Sequence, residues 1–101
     1  MSKIDVNSKD NNDRTALFWA AWHNREGIVR LLLETGKVDV NSRNIEGLTP
    51  LHQAVWGGSE AIIKLLLGTG KVNVNLTDDE GRTPRWWADN RKQEAIVKAA
   101  F

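Results

Sequence analysis

A block of fourteen residues occurs twice in this chain and fixes how it can fold. Residues 28–41 read IVRLLLETGKVDVN and residues 62–75 read IIKLLLGTGKVNVN, with ten of fourteen positions identical at an offset of 34. The same step links Thr15, Thr49 and Thr83, then Glu26, Glu60 and Glu94, and then Asn7, Asn41 and Asn75. A unit this short cannot bury an apolar face by itself, so neighbouring units must stack and share one core. The period divides the chain into the tail of a preceding unit (1–9), repeat 1 (10–43), repeat 2 (44–77) and a truncated C-terminal capping repeat (78–101), together one domain of 1–101.

Each register has a mechanical reading. The three threonines are placed to cap helix N-termini by accepting a backbone N–H, and Pro50 and Pro84 follow at the first helical position, where a missing N–H is harmless. A short helix with Ala20 and Ala21, or Ala54 and Val55, allows close approach to a neighbour. It breaks at Gly57 and Gly58, with Asn24, which also tolerates positive φ, in place of Gly58. A second helix begins near Glu26 or Glu60 and is expected to bury Ile28, Val29, Leu31, Leu32 and Leu33 or their equivalents. The Lys-Val-Asp-Val-Asn tail is extended and then turns, which suits a hairpin-like connection.

Turn, helix, loop and helix in 34 residues, with Gly-Leu-Thr-Pro-Leu-His-Gln-Ala at 47–54, resembles the ankyrin repeat and its Thr-Pro-Leu-His-x-Ala signature. The added residue in Thr-Gly-Lys-Val-Asp-Val-Asn is similar to fungal ankyrin arrays. The resemblance implies an all-α solenoid of about three stacked helix-turn-helix units, with hairpin-like connecting fingers and a concave groove that binds another protein. Carried over by register, the groove and finger tips present Arg14, Trp22 and His23 in repeat 1, Ile45, Leu48 and Trp56 in repeat 2, and Arg82, Asn90 and Arg91 in repeat 3. Glu46, Asp79 and Glu80 fall at variable finger positions as well.

Arg85 and Asp89 replace the apolar residues of earlier units, and Ala99 and Ala100 replace paired leucines, which suits an end that faces water. The opposite end has no cap, so self-association or docking of further repeats through it is the architectural alternative. A charge at Leu17 or Phe18 is expected to disrupt such a contact.

The tryptophans divide by register. Trp19 and Trp87, with Gln53 between them, are expected to be partly buried against neighbouring helices. Trp22 and Trp56 are expected to stack across adjacent repeats as an aromatic platform, tryptophan being enriched at binding hot spots. His52 is read as bracing its turn by a hydrogen bond.

Composition removes other classes. Fourteen basic against thirteen acidic residues give +1, so no overall field favours nucleic acid or an anionic membrane. The absence of cysteine removes disulfides and thiolate metal sites and suits a reducing compartment. No apolar segment approaches the roughly 20 residues of a membrane span. The Asp78-Asp79-Glu80 run lacks the alternating ligands of a calcium loop. An intracellular, cytoplasmic protein-binding module without catalysis, cofactor or metal is expected, with the nucleus left open.

Overall fold

The computed structural model describes residues 5–91 and 93–100, without the side chains of residues 97, 99 and 100. Six helices follow in order: α1 (Ala16–Trp22), α2 (Glu26–Glu34), α3 (Pro50–Gly57), α4 (Glu60–Leu67), α5 (Pro84–Asn90) and α6 (Glu94–Ala100). Among the described residues no strand occurs, so the chain is an all-helical repeat solenoid. The helices form three pairs. One helix of each pair belongs to an inner row, α1, α3 and α5, and the other to an outer row, α2, α4 and α6. The stack measures 48 × 26 × 22 Å. Among the described residues no helix is long and apolar enough to cross a membrane.

The inner helices start where their caps lie. Thr15, Thr49 and Thr83 hydroxyls accept from the amides of Phe18, His52 and Trp86 at 3.2, 3.2 and 3.1 Å. Gly58 ends α3 in the left-handed conformation (φ 70°), and Asn24 takes it after α1 (φ 56°). Both are registers that need φ > 0, which glycine and asparagine reach at least cost. Small Ala20, Ala21, Ala54 and Ala88 let the inner row close up, and Leu17, Leu51, Val29, Ile62, Ile63 and Leu66 fill the space between the rows.

Two ladders with the same 34-residue period tie the units together. At the finger edge the Ile45 amide donates to the Asn12 carbonyl at 3.0 Å and the Asp79 amide to the Glu46 carbonyl at 2.9 Å. At the opposite edge Asn7 donates to the Lys37 carbonyl and accepts from the Asp39 amide, and Asn41 repeats both bonds at Lys71 and Asn73. The repeated Val-Asn tail is therefore an inter-unit clamp.

The first unit departs from expectation. Ile28 and Leu31 of α2 are 50% and 66% exposed, whereas Ile62, the counterpart of Ile28 in α4, is 0% exposed. Ile62 is covered by the preceding helix pair; among the described residues no pair covers Ile28. Leu17 and Phe18, in contrast, are buried, because they face the core and the second finger. The apolar end surface is thus built by α2, and a charge at Leu17 or Phe18 would damage the core instead of probing that surface. At the other end Arg85 and Asp89 are exposed and pair at 3.7 Å, so the polar drift of α5 faces water. The side chains of Ala99 and Ala100 lie outside the described residues.

Candidate functional site

Each finger is folded by an Asx side chain. The Asp10, Asn44 and Asp78 Oδ1 atoms each accept two backbone amides, two and four residues on, at 2.9 to 3.0 Å. These residues favour turns because the short side chain replaces a backbone acceptor. Units 1 and 3 add a second layer. The other Asp78 oxygen accepts from Arg82 Nε at 2.9 Å and from Trp87 Nε1 at 3.2 Å, and the Arg82 guanidinium lies 4.5 Å from the Trp87 ring centre. Asp10, Arg14 and Trp19 reproduce the arrangement at 2.9, 3.1 and 4.5 Å. In unit 2 all three positions change together, to Asn44, Leu48 and Gln53. Sequence reasoning missed this triad, although its signal is present: three registers that switch jointly.

Electrostatics follow the geometry. The Arg14 amide hydrogen bond, ahead of a smaller opposing desolvation and with help from Asn12, Trp19 and the Arg14 side chain, holds the Asp10 carboxyl down at about 2. Burial pushes the Asp78 carboxyl up, but the Arg82 amide and guanidinium, the Glu80 amide and Trp87 together outweigh it and keep it below the usual range.

His52 is buried and engaged through both ring nitrogens. Nδ1 accepts from the Thr49 amide at 3.1 Å and meets the Thr49 hydroxyl at 2.8 Å, so the proton belongs on Nε2, which donates to the Arg82 carbonyl at 3.0 Å. The ring closes the cap of α3 and bridges to the third finger. Burial lowers its pKa from the ordinary 6.5, the Arg82 carbonyl and Asp78 opposing, Arg43 and Arg82 adding to the effect. A proton on Nδ1 would also break the bond from the Thr49 amide. Below about pH 6.5 the unfolded chain therefore binds a proton that the folded chain refuses, and stability falls with pH, at most about 1.4 kcal/mol per pH unit, until the folded value is reached. Melting temperatures between pH 7.5 and 5.5 should fall more steeply in the wild type than in His52→Phe, which copies Phe18 of unit 1. Parallel curves would remove His52 as the source.

The concave side carries an open groove of about 430 Å³ lined by Trp22, Glu46, Leu48, His52, Gln53, Trp56, Asp78, Asp79, Glu80, Arg82 and Trp87. A smaller cavity of about 210 Å³ continues it toward the first finger, where Arg14, Phe18 and Ile45 join Trp22, Glu46 and Gln53. Of the nine residues predicted from register, Trp22, Leu48, Trp56 and Arg82 meet in the main groove, and Arg14 and Ile45 reach its extension. Arg91 does not line the groove, but its guanidinium lies 4.4 Å from the Trp56 ring centre. His23, the C-cap of α1, stacks on Trp19 and Trp22, and Asn90 is exposed at the end of α5; neither lines either cavity.

Trp22 and Trp56 are 39% and 46% exposed. They do not stack on one another, contrary to expectation. Packed helices stand roughly 8–10 Å apart, too far for indoles in one register to touch face to face. Each finds a nearer partner: Trp22 lies 4.9 Å from Trp19 within α1, and Trp56 meets the edge of Trp87 at 5.3 Å. Trp19 is 37% exposed and Trp87 is half-buried, and Trp87 also meets the edge of Trp86 at 5.4 Å, so the indoles gather in two groups, Trp19 with Trp22 and Trp56 with Trp87 and Trp86.

Two family models, described as ankyrin repeats (3 copies) and ankyrin repeats (many copies), match the chain over residues 1–44 and 23–67 respectively. A search among curated proteins returns no match. Ankyrin repeats generally serve as protein–protein interaction modules. With both matches spanning residues 1–67 and the helix-pair stack continuing through α6, the chain belongs to the ankyrin repeat family.

Proposed function

We propose that residues 1–101 act as one non-enzymatic module, repeats 10–43 and 44–77 closed by a cap at 78–101, which holds a partner protein in the concave groove and against the finger tips. The observation that carries this reading is the set of half-exposed indoles, Trp22 and Trp56 above all, lining one open groove on the stack of helix pairs. Anchors fixed before binding lose little ordering entropy. His52, the histidine of the groove, is occupied at both nitrogens and offers nothing to acid–base chemistry. Residues 82–101 carry five basic against two acidic residues beside Trp86 and Trp87, yet they suit nucleic acid poorly, since Arg82 is held by Asp78 and Glu80 and Arg85 by Asp89. The cysteine-free composition supports a cytoplasmic setting.

Replacing both Trp22 and Trp56 by alanine should weaken partner binding by more than about a hundredfold, as two hot-spot tryptophans at about 2 kcal/mol each imply, with the helical circular dichroism retained. Partners captured equally by wild type and double variant would overturn the reading.

A second reading rests on exposed Ile28 and Leu31: the α2 face docks a further repeat or a second copy. Sedimentation should then show a concentration-dependent dimer that Leu31→Glu abolishes. A monomer throughout excludes the second copy.

A further inference from the structure

The groove draws its apolar surface from Trp22, Leu48, Trp56 and Trp87, but its lip is charged. Glu46 and Asp79 are exposed and take part in no ion pair among the described residues. The bond from the Asp79 amide to the Glu46 carbonyl joins the two residues, so their carboxylates occupy neighbouring finger tips beside Trp22 and Trp56. Glu80 adds a third charge, which Arg82 meets only at 3.5 Å because its guanidinium is committed to Asp78 at 2.9 Å. The cavity lining therefore carries four carboxylates against one guanidinium, in a chain whose total charge is +1. This field is local and negative.

The indoles show the same preference. A tryptophan face attracts cations through its quadrupole. Here Arg14, Arg82 and Arg91 lie 4.5, 4.5 and 4.4 Å from the ring centres of Trp19, Trp87 and Trp56. Each guanidinium belongs to this chain, and Arg91 reaches Trp56 from the adjacent unit. The same face of the molecule thus offers seats already suited to a planar cation and carboxylates that lack one.

We infer that the occupant of the groove is a basic segment of the partner protein, in which a Lys or Arg lays its aliphatic stem along Trp22 and Trp56 and turns its charged head to Glu46 and Asp79. The stem supplies apolar contact while the head stays at the wet lip. An acidic segment is repelled by the same carboxylates, which gives discrimination as well as attraction. The inference rests on the groove being the binding surface.

Random peptides displayed on phage, selected in parallel on the wild type, on Glu46→Lys/Asp79→Lys and on Trp22→Ala/Trp56→Ala, separate the two layers. The wild type should enrich peptides with Lys or Arg beside an apolar residue. A synthetic copy of the most enriched peptide should bind Glu46→Lys/Asp79→Lys at least about tenfold more weakly, bind Glu46→Gln/Asp79→Asn at an intermediate strength, and lose affinity as salt is raised. Circular dichroism of each variant checks that it is folded. Acidic or uncharged peptides that still need the two tryptophans overturn the basic partner and leave the groove intact. Peptides indifferent to the tryptophans, or no enrichment at all, overturn the groove as well.

Discussion

Ile62→Ala is expected to lower the unfolding free energy by about 2–5 kcal/mol, and Ile28→Ala, the same change in the same register, by less than about 1 kcal/mol. Ile62 is fully buried between the outer helices, so truncation removes its transfer free energy and leaves a cavity; Ile28 is half in water already. A domain of 101 residues has about 5–15 kcal/mol in total, so the first change removes a large share of it and should lower the melting temperature by about 10 °C or more. Urea unfolding curves at equal slope provide the comparison. If Ile28→Ala proves as costly as Ile62→Ala, and more so at higher protein concentration, then α2 is covered in solution by a second copy. If Ile62→Ala is mild, the outer row is not part of the cooperative core.

The contrast between these two isoleucines marks what a repeated sequence can and cannot reveal. Caps, helix bounds and left-handed positions were legible because they depend on a few adjacent residues: Thr49 on His52, Gly58 on the helix it ends, Asn24 on the helix it follows. Burial was not, because identical registers differ in what lies on either side of them, and the period treats Ile28 and Ile62 alike. The groove was legible in outline, since Trp22, Leu48, Trp56 and Arg82 line it as register implies. Its construction was less so. Reading the tryptophans by register paired Trp22 with Trp56, whereas indoles respond to distance, and Trp19 and Trp87 are the nearer partners. The Asp-Arg-Trp triads needed three registers to be compared at once, and the loss of all three in unit 2 is intelligible as a unit: without the carboxylate, a guanidinium at Leu48 and an indole at Gln53 would have nothing to bond. That substitution leaves these three registers of unit 2 without a charge, between two braced fingers.

Gly47→Ala should be the most damaging single-atom addition in the fingers, and Gly81→Ala a far milder one. Both glycines are left-handed, at φ 76° and 77°, so both variants bear the roughly 1–2 kcal/mol that an L side chain costs there. That cost alone is tolerable, for Asp13 holds the same register at φ 59°. The difference lies opposite. A Cβ on Gly81 meets nothing within 4 Å, whereas one on Gly47 falls 2.7 Å from Asp79 Oδ1, 2.9 Å from the Asp79 amide nitrogen and 3.1 Å from the Asp78 carbonyl carbon. The carboxylate can turn aside; the backbone cannot move without lengthening the bond from Asp79 to Glu46 that joins the second and third fingers. Overpacking of this kind adds about 1–3 kcal/mol, for a total of about 3 kcal/mol or more. Because the strained contact lies at the lip of the groove, Gly47→Ala should also weaken any ligand held there, even in conditions where the protein remains folded, while Gly81→Ala should not. Equal melting temperatures for the two variants would show that the fingers part freely, and the groove could then not be the rigid surface that presents its tryptophans to a partner.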